Sequence, residues 1–87
     1  MKPPLQPEAV VFGERLRELR EKRGETVRSL AELTDASYTY ISEMERGVKV
    51  PSLTMLLRLA VALDCKVTDL VDVFNRRDLR KLIPKRK

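Results

Sequence analysis

The stretch Val27–Gly47, VRSLAELTDASYTYISEMERG, decides how the rest of the chain is read. Thr26, just ahead of it, is a residue type that caps helices, and Leu30, Ala31 and Leu33 supply an inward face, so a helix is expected over about 26–33. Asp/Glu-type support for that cap is absent at Ser29. Thr34-Asp35-Ala36 then reads as a turn, in which Asp35 takes the left-handed conformation more readily than most residues other than Gly and Asn. Ser37 caps a further helix over about 38–46, and Gly47 ends it.

The second of these helices has two unlike sides. At about 100° per residue, setting Ile41 at zero places Met44 at about 300° and Glu45 at about 40°, so these three face inward. Thr39, Ser42, Glu43 and Arg46 fall between about 100° and 200°, with Tyr38 and Tyr40 flanking them. The outward side is polar and able to form hydrogen bonds throughout.

Working outward, Pro3, Pro4 and Pro7 disfavour helix at the start, and residues 1–7 are expected to form a flexible extension. Val11, Phe12, Leu16 and Leu19 then recur at helical spacing, giving a first helix over 8–23 with Gly24 beyond its end. After Val48–Pro51, Ser52 caps a fourth helix over 52–63, whose inward positions are taken as Leu53, Leu56, Leu57, Ala60 and Leu63. Asp64 breaks the run, and Val67, Leu70, Val71 and Phe74 mark a fifth helix over 67–75. Leu79, Leu82 and Ile83 either extend it or form a separate turn before Pro84. No strand signal or internal repeat appears. The fold class expected is all-α, a compact five-helix domain over 8–75 followed by a basic tail over 76–87.

Composition fits this architecture and narrows function. A chain of 87 residues has room for one core, and with aromatics at 5% and no Trp that core must be aliphatic. No apolar run approaches the roughly 18 residues of a membrane span, and the opening MKPPLQPE lacks the apolar stretch of a signal peptide, so a cytoplasmic location is expected. Cys65 is the only cysteine and there is no histidine, which excludes a disulfide framework, a Cys/His zinc site and a His-based catalytic pair within one chain. Neither an enzyme nor a metal or other cofactor is expected. Cys65, in VALDCKV among apolar neighbours, reads as a small core residue, with a redox role as the alternative.

The formal charge of +5 is unevenly spread. Residues 1–75 hold 11 Lys and Arg against 12 Asp and Glu, whereas residues 76–87 hold 7 against 1. The excess therefore lies in the tail, which is either a solvated end or an arm that contacts phosphates.

From Phe12 to Leu70 the chain resembles the lambda-repressor-like, Cro-type helix-turn-helix of the XRE family. The matching elements are LRELREKRG, SLAE, YISEMERG, PSLTMLLRLAVAL and VTDL. Ala31 suits the close approach of the motif's two helices, and Leu30, Ile41 and Met44 fill the space between them. Glu45 points inward and the resemblance places Arg20 opposite it, which implies a partly buried ion pair. The resemblance also implies that the 38–46 helix lies in the major groove of double-stranded DNA, with Tyr38, Thr39 and Glu43 at the base-reading positions. Arg28, Ser37, Tyr40, Ser42, Arg46 and Lys49 then make phosphate or secondary contacts.

Three departures from the family pattern stand out. Val27 replaces a usual Gln, so its DNA contact is missing or passes to Arg28; Asp35 replaces the usual turn glycine; and Lys66 replaces the small polar cap of the fifth helix. Members of this family usually act as two-fold dimers, and the fifth helix carries Val67, Leu70, Val71, Val73 and Phe74, more apolar positions than one inward stripe needs. A homodimer through these residues is expected, acting as a repressor or controller of transcription. The alternatives are an antitoxin-type regulator that also binds a protein through the tail, and a protein-interaction module that keeps the fold without binding DNA.

Overall fold

A computed structural model describes residues 6–76 and 79–83. Six α-helices follow in order among them: α1 (Pro7–Lys22), α2 (Val27–Thr34), α3 (Tyr38–Glu45), α4 (Leu53–Ala62), α5 (Val67–Val71) and α6 (Leu79–Leu82). A 3₁₀ turn, Asp72–Arg76, follows α5, so the expected fifth helix tightens partway along and a short sixth follows. No strand occurs among the described residues.

The caps explain where the helices begin. The side chains of Ser37 and Ser52 accept from the backbone N–H groups of Tyr40 and Met55, satisfying donors that a first turn leaves free. At α2 the cap is reciprocal. Thr26 Oγ1 accepts from Ser29 N–H at 2.9 Å while Ser29 Oγ accepts from Thr26 N–H at 2.9 Å, so a serine supplies the support that an acidic residue gives elsewhere. Lys66, which has no capping side chain, is served from the other direction: Asp69 Oδ2 accepts its N–H at 2.8 Å. Helix α1 starts one residue earlier than expected because proline is well tolerated at a first helical position, and Pro7 occupies it.

The helix ends share one device. After α1, α2, α3 and α4 a single residue turns left-handed, and the next amide reaches back five residues to a helix carbonyl. Gly24 and Gly47 serve two of these turns; Asp35 (φ 55°) and Asp64 (φ 50°) serve the others. Asp64 therefore does more than interrupt an apolar run: it directs the chain from α4 into α5.

A core centred on Leu16, Leu30, Ile41, Met44, Leu59 and Leu70 joins α1 through α5. Several sequence expectations about its membership are corrected. On α4 the buried stripe is Met55, Leu59 and Ala60, continuing to Leu63, while Leu53 and Leu57 face outward. The apolar residues of α4 outnumber those one stripe can hold, and spacing alone does not reveal which stripe packs. Leu33 on α2 is likewise exposed, with the buried Thr34 turned inward instead, its hydroxyl donating to the Leu30 carbonyl at 2.8 Å.

Leu70 is fully buried, so it cannot meet a second copy directly; Val67, Val71 and Phe74 are partly buried against the same core, and Val73 is half-buried in the 3₁₀ turn. Of these apolar residues only Leu70 is wholly taken up inside its own chain.

Candidate nucleic-acid interface

The site is built on how α3 is held. Its inward residues Ile41 and Met44 are fully buried beside Leu30 and Ala31 of α2, where a larger residue than Ala31 would push the two helices apart. Its C-terminal end rests against α1 at Gly13. A Cβ at that position would lie 2.4 Å from the Met44 carbonyl oxygen and 2.8 Å from that of Glu45, so the two backbones approach as closely as they do only because Gly13 has no side chain. Gly47, at φ 77°, completes the same seat against Val10.

An ion pair closes the seat. Arg20 Nε donates to Glu45 Oε2 at 2.6 Å and its Nη2 to Glu45 Oε1 at 3.0 Å, a two-pronged contact; Nη1 donates to the Glu25 carbonyl at 2.8 Å. The side chains are 12% and 8% exposed, which leaves little water to compete. Hydrogen bonding to Glu45 outweighs the burial cost and raises the Arg20 pKa above its ordinary value. Arg20 thus stays charged and ties α1 to the end of α3.

Held this way, α3 presents the polar side. Tyr38, Thr39 and Arg46 are exposed and Ser42 and Glu43 half-exposed. Ser37 and Lys49 are exposed at the two ends of this surface, and Arg28 is exposed near the start of α2. Tyr40 is brought there only in part, since its ring packs against the core. Glu43 also helps to end its own helix, because its backbone carbonyl accepts from Val48 N–H at 2.9 Å while its side chain remains on the outward side.

One contact was not legible from spacing. The Arg28 guanidinium lies over the Tyr38 ring, 5.8 Å from its centroid, bridging α2 and α3 across the Asp35 turn. Val27, in place of a polar residue, packs partly against the core. No cluster of residues able to hold a metal ion occurs among the described residues. No described helix is long and apolar enough to cross a membrane.

Two helices of eight residues each, joined by a tight turn, with the first locked against a core and the second displaying a polar face, form the arrangement that gives a helix-turn-helix its name. Residues 11–74 match the model of a helix-turn-helix domain. The chain belongs to this helix-turn-helix family.

Similar proteins agree with this membership. The chain is 42% identical over 59 residues to the HTH-type transcriptional regulator DdrOP3 of Deinococcus deserti, an alignment spanning 68% of this chain and 46% of that protein. It spans less than half the length of the curated relatives it matches. Among solved structures it resembles the restriction-modification controller protein C.AhdI from Aeromonas hydrophila, with a TM-score of 0.70, 41% identity, and coverage of 72% of this chain and 96% of the other. It also resembles SinR, a master regulator for biofilm formation solved in complex with DNA, with a TM-score of 0.67, 31% identity, and coverage of 70% and 98%. The lambda-repressor-like, XRE-type assignment read from the sequence holds, and these helix-turn-helix relatives are regulators of transcription, a non-enzymatic class.

Proposed function

We propose that this chain binds duplex DNA by laying α3 in the major groove and regulates transcription from a two-fold operator. The observation that carries this reading is the exposed polar side of α3, opposite a side locked by Gly13, Ile41, Met44 and the Arg20–Glu45 pair. Thr39 is suited to a thymine methyl or a base acceptor, and Glu43 to the amino group of cytosine, with Tyr38 at the entry to the same face. Arg46 and Lys49 beyond the end of α3, with Ser37 and Ser42, provide phosphate or secondary contacts. The near-neutral charge of residues 1–75 favours readout by shape and hydrogen bonding over charge attraction. Titrating a duplex with protein at several salt concentrations tests this: affinity should fall steeply with salt, as counterions are released from contacted phosphates. Salt-independent binding, or none, would leave the fold serving protein contacts alone.

A single reading helix covers few base pairs, and two copies about 34 Å apart would span successive turns of the groove. Leu53, Leu57 and Val61 recur every fourth residue of α4 and are 72%, 47% and 82% exposed, with Leu33 beside them at 56%. Leu33, Leu57 and Val61 flank a shallow groove that Thr54 and Arg58 complete. A ridge and a groove within one patch provide the self-complementarity that a two-fold contact requires. A ten-residue helix is only about 15 Å long, so the patch is smaller than the roughly 800 Å² per partner of a stable interface. The homodimer is therefore weak in solution and completed on DNA. This surface replaces the buried Leu70 in the proposed interface, with Val67, Val71 and Phe74 at most at its margin.

The sign of regulation proposed is repression or control by occupancy of a promoter, in the compartment that holds the chromosome, the cytoplasm. A second reading, contact with another protein through the tail, draws on α6 and the residue after it, where Leu79 and Ile83 are exposed next to Arg80 and Lys81. The tail residues 77–78 and 84–87 lie outside the described residues, as do residues 1–5 of the N-terminal extension.

A further inference from the structure

Arg28 is the second residue of α2 and Tyr38 the first of α3, and both are exposed. Their contact belongs to neither the core nor the caps. The carboxylates near Arg28 in sequence are not paired with it: Glu25 accepts from the Ser29 hydroxyl, and Glu32, one turn along α2, makes no ion pair with it among the described residues. Among the described residues Arg28 is thus a cation placed over an aromatic face and paired with no carboxylate.

That distinction has chemical content. A guanidinium placed over a ring rather than on a carboxylate keeps its N–H donors free, and two parallel donors of this kind match the O6 and N7 acceptors on the major-groove edge of guanine. A carboxylate would have taken the same donors. The ring also narrows the rotamers of a long side chain before DNA arrives, which lowers the ordering cost on binding. The reciprocal Thr26–Ser29 cap fixes the first turn of α2, and the Ser37 cap fixes that of α3, so both members of the stack stand on constrained backbone.

We propose that Arg28 reads a guanine in the major groove and that Tyr38 is the positioning residue that aims it. This rests on the duplex-DNA reading given above and deepens it, because it moves Arg28 from phosphate contact to base readout. Tyr38 acts through Arg28, and its hydroxyl is not required. Val27 makes room for this arrangement by turning its side chain to the core, leaving Arg28 as the residue of the first turn of α2 directed at DNA.

The test uses the full chain and the duplex it enriches from a random pool, together with versions of that duplex in which each guanine is replaced in turn. Arg28→Lys, which keeps the charge but loses the fork, should reduce discrimination at one guanine by about tenfold while binding to unrelated duplex changes little. Tyr38→Leu should weaken discrimination at that same guanine, Tyr38→Phe should restore it, and combining Arg28→Lys with Tyr38→Leu should add little to Arg28→Lys alone. Thermal melting confirms that each variant is folded. If Arg28→Lys lowers affinity evenly for all sequences, or leaves it unchanged, Arg28 is a phosphate contact or a solvated cation and the proposal fails. It also fails if Tyr38→Leu alters a different base pair, since Tyr38 then reads for itself. A wild-type chain that enriches no sequence overturns the DNA-binding reading as well, an outcome distinct from altered behaviour of the variants.

Discussion

Arg20 and Glu45 meet through two hydrogen bonds, 2.6 and 3.0 Å long, that join the last turn of α1 to the last residue of the helix presenting the polar face. The pair is largely buried, so each charge depends on the other for solvation. Removing one partner should cost about 3–5 kcal/mol because it leaves a buried charge unmatched. Glu45→Ala is expected to lower the thermal midpoint sharply, and the double variant Arg20→Met, Glu45→Leu to recover much of the loss, as read by chemical denaturation. Equal destabilisation in single and double variants would show that the ion pair is not the source.

Gly13 makes a separate demand on the same seat. Gly13→Ala sets a methyl 2.4 Å from a backbone carbonyl that cannot move without shifting α3. A loss of about 1–3 kcal/mol is expected, the range for overpacking, although alanine is the better helix former. Denaturant unfolding measures it; a stabilised variant would mean that the two helices do not approach this closely.

The outward side of α3 should respond differently. Thr39→Ala and Glu43→Ala remove no core contact, so stability should change by less than about 0.5 kcal/mol. Sequence preference on duplex DNA should change in both, because each removes a group placed to meet a base edge. Competition binding against single-base operator variants separates the two effects, and an unaltered preference in both variants would count against this face.

Self-association should follow α4 rather than α5. Leu57→Arg places a charge on an exposed apolar strip and is expected to leave folding intact while weakening the dimer at least tenfold, as measured by sedimentation equilibrium. A wild-type chain that stays monomeric at high micromolar concentration and binds DNA singly would remove the α4 interface.

Cys65 lines a groove between α1 and the link from α4 to α5, and burial, with the nearby Asp69 charge, pushes its thiol pKa upward. A raised pKa means fewer thiolates at a given pH, and the thiolate is the reactive form. Alkylation at mildly alkaline pH should therefore be slower in the folded chain than in denaturant, with the gap closing as pH rises. Stability linked to this group is present below the unfolded-state pKa of a cysteine and declines as pH rises above it, because the folded state holds the proton more tightly.

Much of this is legible in the chain itself, and the exceptions have physical reasons. Ser37, Ser52, Gly24 and Gly47 announce helix ends because their effects are local, and the pattern Leu30, Ala31, Ile41, Met44 reports a face that can pack only one way. Spacing misassigns the α4 surplus because Leu53, Leu57 and Val61 repeat at the same four-residue spacing as Met55, Leu59 and Leu63, and periodicity does not say which stripe finds a partner. The same ambiguity puts Leu70 on an interface rather than in the core. The importance of Gly13 is hidden in the sequence because it depends on α3 passing over it, and α3 lies far along the chain. The Arg28–Tyr38 stack joins residues on two helices whose relative rotation only the folded turn at Asp35 sets.

Selection of duplexes from a random pool by the full chain, followed by footprinting of the enriched sequence, tests DNA reading by α3 most directly. The expected result is an inverted repeat whose half-sites are centred about 34 Å apart, protected on one face of the duplex, with preference altered by Glu43→Ala. Enrichment of no sequence, or a preference untouched by changes anywhere on the outward side of α3, would contradict it.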